Sequence, residues 1–371
     1  MKNKIEQDCI ICGDWISENT VGVQRYAMQI LLELDKKLID DNLKRKIILV
    51  IPQNIEWENP FKKIIIVRTG NIRNRVDKYI WQQINFPMFV RKKRAIGIDL
   101  ALALPIWGCD IYALHDCIVE KYPENFKKHS LFRILYLFKV KCISKRKKSQ
   151  IVTVSENSKK DIMHYYKINP SRIWIVSNGW EHMKSIHSDV KIFDKLDGVK
   201  PENYFFSLGS KYKHKNLGWV LKAARYNPEY KFVLTGSGGY SNEEENLKEN
   251  IPDNVFLTGY VSDEEMKALI ENCKALIQPS LYEGFGIPPL EALSMGKKII
   301  ISDTSSLPEI YGESAYYLNP ADANMDLEEV LNKKVTPPDN VLKKYSWEKS
   351  AEALLSVINT ISGREKNDTE I

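Results

Sequence analysis

No apolar run in these 371 residues approaches the roughly 20 needed to cross a bilayer. The opening "MKNKIEQDCIIC" is charged and then too briefly apolar to read as a secretory signal. Cysteine is sparse, six in all, which suits a reducing compartment. Cys9 and Cys12 form a lone CxxC with no second pair at a suitable spacing, so both read as buried thiols in an apolar first strand. No His/Cys/carboxylate cluster has metal-ligand spacing. "TGSGGY" (235–240) lacks the third glycine of GxGxxG and has no ribose acid after it, which argues against a dinucleotide site. The expectation is a cytoplasmic, globular chain without a metal or cofactor.

What is present fits two domains, since the length exceeds one ordinary core. The net charge of +6 hides an asymmetry: residues 1–183 hold 32 Lys and Arg against 19 Asp and Glu, and residues 184–371 hold 22 against 29. Halves of opposite sign face different partners. Strands are expected at "CIIC", "KIILVIP" (46–52), "KIIIVRT" (63–69), "LALALPI" (100–106) and "IVTVS" (151–155), with helical stretches between most of them. The second half repeats the scheme at 203–209, 230–236, 254–261, 273–280 and 297–303, and Ser262 with Glu265 forms a capping box. Strands alternating with helices predict α/β architecture with two Rossmann-like domains facing a central cleft, ligands lying outside the carboxyl ends of the strands. The boundaries read as 1–183, a linker at 184–200, a second domain at 201–345, and a C-terminal helix at 346–363 packing back toward the first domain.

The densest chemistry lies in "SLYEGFGIPPLEALSMG" (280–296). Gly284 and Gly286 permit close backbone approach to a ligand. Pro288 or Pro289 suits the first turn of a helix, which places Glu291 in that turn beside unpaired amides and the positive dipole end. Such an end attracts phosphate, while Glu283 and Glu291 accept hydrogen bonds from hydroxyls. A ligand with hydroxyls at both ends and a diphosphate between them is a nucleotide sugar. Elsewhere, residues 121–148 contain ten Lys or Arg and one acid, Glu124, around an apolar helix, and residues 79–95 form a second basic and aromatic patch. Cations beside apolar side chains suit an anionic membrane surface. No nucleic-acid recognition module accompanies them, and the acidic second half argues against nucleic acid.

"PSLYEGFGIPPLEALSMG" resembles the E-x7-E signature of the retaining glycosyltransferases of family 4, which have the GT-B fold. "SLGSKYKHKNL", "FLTGYVSDEEMKALI", "SDTSSLPEIYGESAYYLNPAD", "IVTVSENSKKDI" and "VSNGWEH" match that family's segments in order, through most of the chain. The resemblance implies that Glu283 bonds the donor sugar, that Glu291 holds the ribose hydroxyls, and that amides of Phe285, Gly286 and Ile287 reach sugar and phosphate. Lys215 would pair with the diphosphate. The basic residue usual after the glycine matched by Gly209 is here Ser210; either Lys211 or Lys213 replaces it, or the site is less basic. Gly22 matches a glycine loop after the first strand, His115 a histidine that meets the donor sugar, and Tyr260 the passage beside the base. The Asp-x-Asp signature of the other glycosyltransferase fold is absent. The implied activity is metal-independent, retaining transfer of a hexose-type unit (mannose, glucose, galactose or rhamnose class) from a nucleoside-diphosphate sugar to a glycan or lipid-linked acceptor. Bacterial relatives build O-antigen, capsule or exopolysaccharide, so a peripheral location at the inner membrane face is expected. The alternatives are a non-catalytic nucleotide-sugar binding subunit and a GT-B-like sugar epimerase.

Overall fold

A computed structural model describes residues 7–17, 22–40, 45–126, 130–209, 212–236 and 251–368, apart from the side chains of 17 and 363–368. The chain divides into two units, Met1–Asn178 with Trp347–Ile371, and Gly179–Ser346.

The first unit is built on β1 (Cys9–Cys12), β2 (Ile47–Ile51), β3 (Ile65–Arg68), β4 (Ile96–Asp99), β5 (Ile111–Ala113), β6 (Gln150–Thr153) and β7 (Ile173–Ile175). They lie in the order β3-β2-β1-β4-β5-β6-β7, and every pairing is parallel. Inner strands of such a sheet are covered on both faces, which is why "CIIC" and "IILVI" are apolar throughout and fully buried. The three-residue strands β5 and β7 are too short to stand out as apolar runs.

"LALALPI" is not a strand. The strand is β4, just before it, and residues 100–106 form a buried loop folded around the carboxylate of Asp99. Asp99 accepts from the amides of Ala101, Ala103 and Leu104 at 3.1, 3.2 and 2.7 Å. Gln83 donates to the carbonyls of Ala103 and Leu104, and Lys139 donates to that of Ala103 at 2.8 Å. These partners satisfy the backbone that a sheet would have paired, so an apolar run persists as loop. Leu102 and Leu104 take positive φ, which no strand allows.

Helix Trp347–Asp368 belongs to the first unit because Trp347, Ala351, Leu354 and Ile358 form a buried stripe at helical spacing. Arg45 donates to Asn359 at 2.7 Å and Lys37 pairs with Glu352 at 2.8 Å.

The second unit holds β8 (Tyr204–Leu208), β9 (Lys231–Thr235), β10 (Val255–Gly259), β11 (Ala275–Gln278), β12 (Lys298–Ser302) and β13 (Tyr316–Leu318), in the order β10-β9-β8-β11-β12-β13, all parallel. The capping box of Ser262 and Glu265 is formed at the start of helix Asp263–Glu271. Residues 184–200, expected as a linker, belong to this unit: Ile192, Leu196 and Val199, spaced as on a helix, are buried, and the turn Val190–Lys195 packs on helix Asp263–Glu271. Of "TGSGGY", residues 237–240 lie outside the described residues.

In each sheet the strand order reverses once, between β1 and β4 and between β8 and β11. There the two following loops leave in opposite directions and open a crevice at the carboxyl edge.

The carboxyl edge of the second sheet is held by close backbone contact. Gly209 donates its amide to Thr235 at 2.6 Å, and Gly236 donates to Gly259 at 2.9 Å. A Cβ on Gly236 would stand 2.0 Å from the Gly209 carbonyl oxygen. Gly236→Ala is therefore expected to cost about 3 kcal/mol, as overpacking against backbone does, and to lower the melting temperature by roughly 6–12 °C. Gly218→Ala, where a Cβ meets nothing within 4 Å, is the control and should leave the melting temperature unchanged or slightly raised.

Candidate active site

The reversal point of the second sheet brings together two residues far apart in sequence. β8 and β11 are neighbours, so the loop after β8, with Lys215, leaves beside the loop after β11, with Glu283. Two contacts tie these loops. Asn216, in the left-handed conformation at φ 55, donates to the carbonyls of Pro279 and Pro320 at 3.0 and 2.9 Å. Leu281 donates its amide to His214 at 2.7 Å.

Three donors converge on Oε1 of Glu283: Lys215 Nζ at 2.7 Å, Gln278 Nε2 at 2.8 Å and Ser280 Oγ at 2.7 Å. Ser305, following β12, accepts the Glu283 amide at 3.1 Å, and Ser305 and Ser306 donate to its carbonyl at 2.6 and 2.9 Å. Burial alone would raise the Glu283 carboxyl. The Lys215 ammonium and the Ser280 hydroxyl outweigh it and hold the group below its ordinary range. His214 is pushed down to about 4 by burial and by Lys215, so it stays neutral beside the pair.

Gly286 takes φ 85 and caps helix Ile287–Ser294, and a Cβ there would strike Leu307 at 2.7 Å. The sequence spacing predicts Glu291 in the first helical turn. Because the left-handed Gly286 caps the helix and lets it begin at Ile287, ahead of both prolines, Glu291 is instead its fifth residue, and it is buried. It pairs with Nε2 of His182 at 2.8 Å. The Phe285 ring is buried edge-on against Tyr345, 5.3 Å between centroids, leaving its backbone to the loop. Gly284 lies between these two glutamate-bearing segments. Tyr260 follows β10, separated from β8 by β9, and is 74% exposed. Lys213 is exposed on the turn that ends at Lys215, whereas Ser210 and Lys211 lie outside the described residues.

Gly22 and His115 belong to the first unit. Gly22 opens helix Gly22–Asp40. His115 follows β5, meets the Tyr26 ring edge-on at 4.5 Å, and has Nε2 3.3 Å from the Leu100 carbonyl. Burial pushes its imidazole down to about 4, so it acts as a neutral group at physiological pH. At the reversal point of the first sheet stands Asp14, which accepts from Gln82 at 2.7 Å and lies 3.4 Å from Lys78. No motif in the sequence marks Asp14, Asp99, Gln278, Ser280 or His182; only their position just after, or at the end of, a strand could single out most of them.

The first unit also carries an unusual exposed face. Consecutive helical segments Arg75–Ile80, Trp81–Asn85 and Phe86–Lys93 bury Trp81, Phe86 and Val90 but expose Val76, Ile80, Ile84 and Met88 at four-residue steps. Helix Leu131–Lys145 buries Tyr136, Val140 and Ile143 in the same core cluster and exposes Leu131, Ile134 and Phe138. Lys139 stands 5.9 Å from the Tyr79 ring, so the two helices run close together. Each stripe ends in exposed cations, Arg91, Lys92, Lys93 and Arg94 on one and Lys141, Lys145, Lys147 and Lys148 on the other.

Residues 189–360 match the family of glycosyl transferases group 1. Over 254 residues the chain is 26% identical to the O-antigen chain mannosyltransferase RfbU of Salmonella typhimurium, covering 66% of this chain and 68% of that one. It is 27% identical over 239 residues to the serotype-specific mannosyltransferase WbdA of Escherichia coli, covering 60% of this chain but only 28% of WbdA. Among solved structures, Anabaena HepE in complex with UDP-glucose superposes with a TM-score of 0.61 at 15% identity, over 99% of this chain and all of that one (100%). The two parallel Rossmann-like units have the GT-B fold of the solved neighbours, and the family match with these relatives supports a glycosyltransferase. The group 1 segment falls almost wholly in the second unit, where Lys215, Glu283 and Glu291 lie.

A group whose folded pKa is depressed stabilises above its ordinary pKa and loses that contribution as pH falls through the folded value. Glu283 is therefore ionised at all pH values above the ordinary carboxylate range. Lys215→Met removes the main opposing charge and leaves burial to raise the carboxyl. The acid limb of the kcat/KM profile for sugar transfer should move to higher pH in Lys215→Met, and no limb near 6.5 should arise from His115. An acid limb that stays in place would refute the coupling.

Proposed function

We propose that this chain is a retaining, metal-independent hexosyltransferase. It takes its hexose from a nucleoside-diphosphate sugar and delivers it to a glycan or lipid-linked acceptor during cell-surface polysaccharide synthesis. The observation that carries this reading is the convergence of Lys215, Gln278 and Ser280 on a single oxygen of Glu283. With all three donors on Oε1, the other oxygen can receive a hydroxyl of the donor sugar. Lys215, 30% exposed, lies within reach of a diphosphate, whose developing charge a cation stabilises as the sugar departs. Glu291 takes the ribose hydroxyls, and the amides of Phe285, Gly286 and Ile287 face sugar and phosphate at the helix entrance. No covalent nucleophile is assigned; the acceptor attacks from the face the diphosphate leaves. Because RfbU and WbdA are mannosyltransferases, an activated mannose is the first donor to test, with a glucose donor second.

The exposed face of the first unit supports a peripheral location on an anionic membrane, through residues 79–95 and 121–148. Apolar stripes enter the headgroup boundary, and flanking cations each contribute about 1 kcal/mol near the lipid surface. A second copy of the chain is a poorer partner, since apposing this face to itself would bring cation against cation.

Three measurements test these readings. Glu291→Ala should weaken nucleotide binding by calorimetry, whereas Glu283→Ala should lower kcat by two orders of magnitude or more, the scale of losing a preorganised polar contact. Full activity and affinity in both variants would refute the assignment, and product formed without an acceptor would indicate an epimerase. Vesicles containing phosphatidylglycerol should sediment the wild type in a salt-sensitive manner. Ile84→Asp with Phe138→Asp should abolish sedimentation while sparing transfer to a water-soluble acceptor.

A further inference from the structure

We propose that His182 is a positioning residue for Glu291, and that it sets how strongly the site prefers a ribonucleotide over a nucleotide without ribose hydroxyls. The inference rests on the reading of Glu291 as the ribose ligand. Helix Ile287–Ser294, "IPPLEALS", is otherwise apolar where it is buried: Pro289, Leu290, Ala292 and Leu293 all face the interior. Glu291 is the one carboxylate among them, and a buried carboxylate needs a partner. His182 supplies it, with Nε2 2.8 Å from Oε1 and only 6% of the residue exposed.

The imidazole is presented from a firmly held base. Turn Glu181–Lys184 is fixed by Lys267, which donates to the carbonyls of Met183 and Ile186 at 2.9 and 2.8 Å. Ser185 closes it, its hydroxyl donating to the His182 carbonyl at 2.9 Å. Just before the turn, Trp180 donates its indole N–H to Leu342 at 3.1 Å. A hydrogen bond from so rigid a support fixes the carboxylate's rotamer. That matters for a vicinal diol, which a carboxylate grips well only when its plane is set before the ligand arrives. Removing His182 takes away the contact that orients this carboxylate, so the loss falls on the ribose contacts and spares the phosphate contacts made from other loops.

The readout is a ratio. Calorimetry would compare GDP and UDP, whichever binds, with the 2′,3′-dideoxy counterpart, in the wild type and in His182→Ala, His182→Asn and His182→Gln. In the wild type, loss of both hydroxyls should weaken binding about tenfold or more, as for hydrogen bonds to a charged group. In His182→Ala the ratio should fall to about twofold, with dideoxynucleotide affinity nearly unchanged; His182→Gln, whose amide can donate in the same direction, should restore most of it. Asn is polar but too short to reach Oε1, so His182→Asn reads out the same loss should the Ala variant fail to fold. Equal weakening of both ligands, or an unchanged ratio in folded Ala and Asn variants, would overturn the positioning role. A wild type that does not distinguish the two ligands would overturn the ribose reading of Glu291, and the proposal with it.

Discussion

One contact organises the second unit: the ammonium of Lys215 against the carboxylate of Glu283, at the place where a parallel sheet reverses its strand order. Neither residue could hold this position alone. An isolated buried carboxylate would rise in pKa and become neutral, and an isolated lysine on a short turn would extend into solvent. Together they stand side by side, and the ammonium holds the carboxyl of Glu283 below its ordinary range. The loops bearing them are clamped by Asn216, and the glutamate backbone is fixed by Ser305 and Ser306. Preorganisation of this kind spares a ligand the work of ordering the groups that receive it.

The same topology acts twice. In the first unit the reversal between β1 and β4 gathers Asp14 and Asp99, both buried. Asp99 is consumed in holding the loop that follows it, and burial pushes its carboxyl up to about 6 against three amide donors. The same reversal of strand order thus yields an ion pair between two loops in one unit and a loop staple in the other. The difference lies in what else reaches the carboxylate: a flexible cation in one case, the chain's own backbone in the other.

Much of this is legible in the residues. Continuous apolar strands, the capping box at Ser262 and the glycine–proline turn around Glu283 each carry their geometry locally, so periodicity and residue type suffice. "LALALPI" misleads because alternation of leucine and alanine resembles a strand, while the side chains that satisfy its backbone and keep it a loop are Asp99, Gln83 and Lys139. The start of helix Ile287–Ser294 is misplaced by its sequence because nothing there distinguishes a glycine that caps from one that merely bends. His182 gives no signal, since its partner is over a hundred residues away and pairing at that range leaves no trace in spacing. The exposed stripe at Val76, Ile80, Ile84 and Met88 is partly hidden too. Helical spacing of apolar residues ordinarily signals a core, and only burial reveals which face was left out.

The contact of Gly236 with the Gly209 carbonyl bears on how this enzyme can diverge. Where one strand's end leaves no room for even a methyl group on its neighbour, that stretch of rim is closed to experiment by mutation. Divergence along this edge must then fall on the side chains presented after β10, β11 and β12, with the glycine seam held constant.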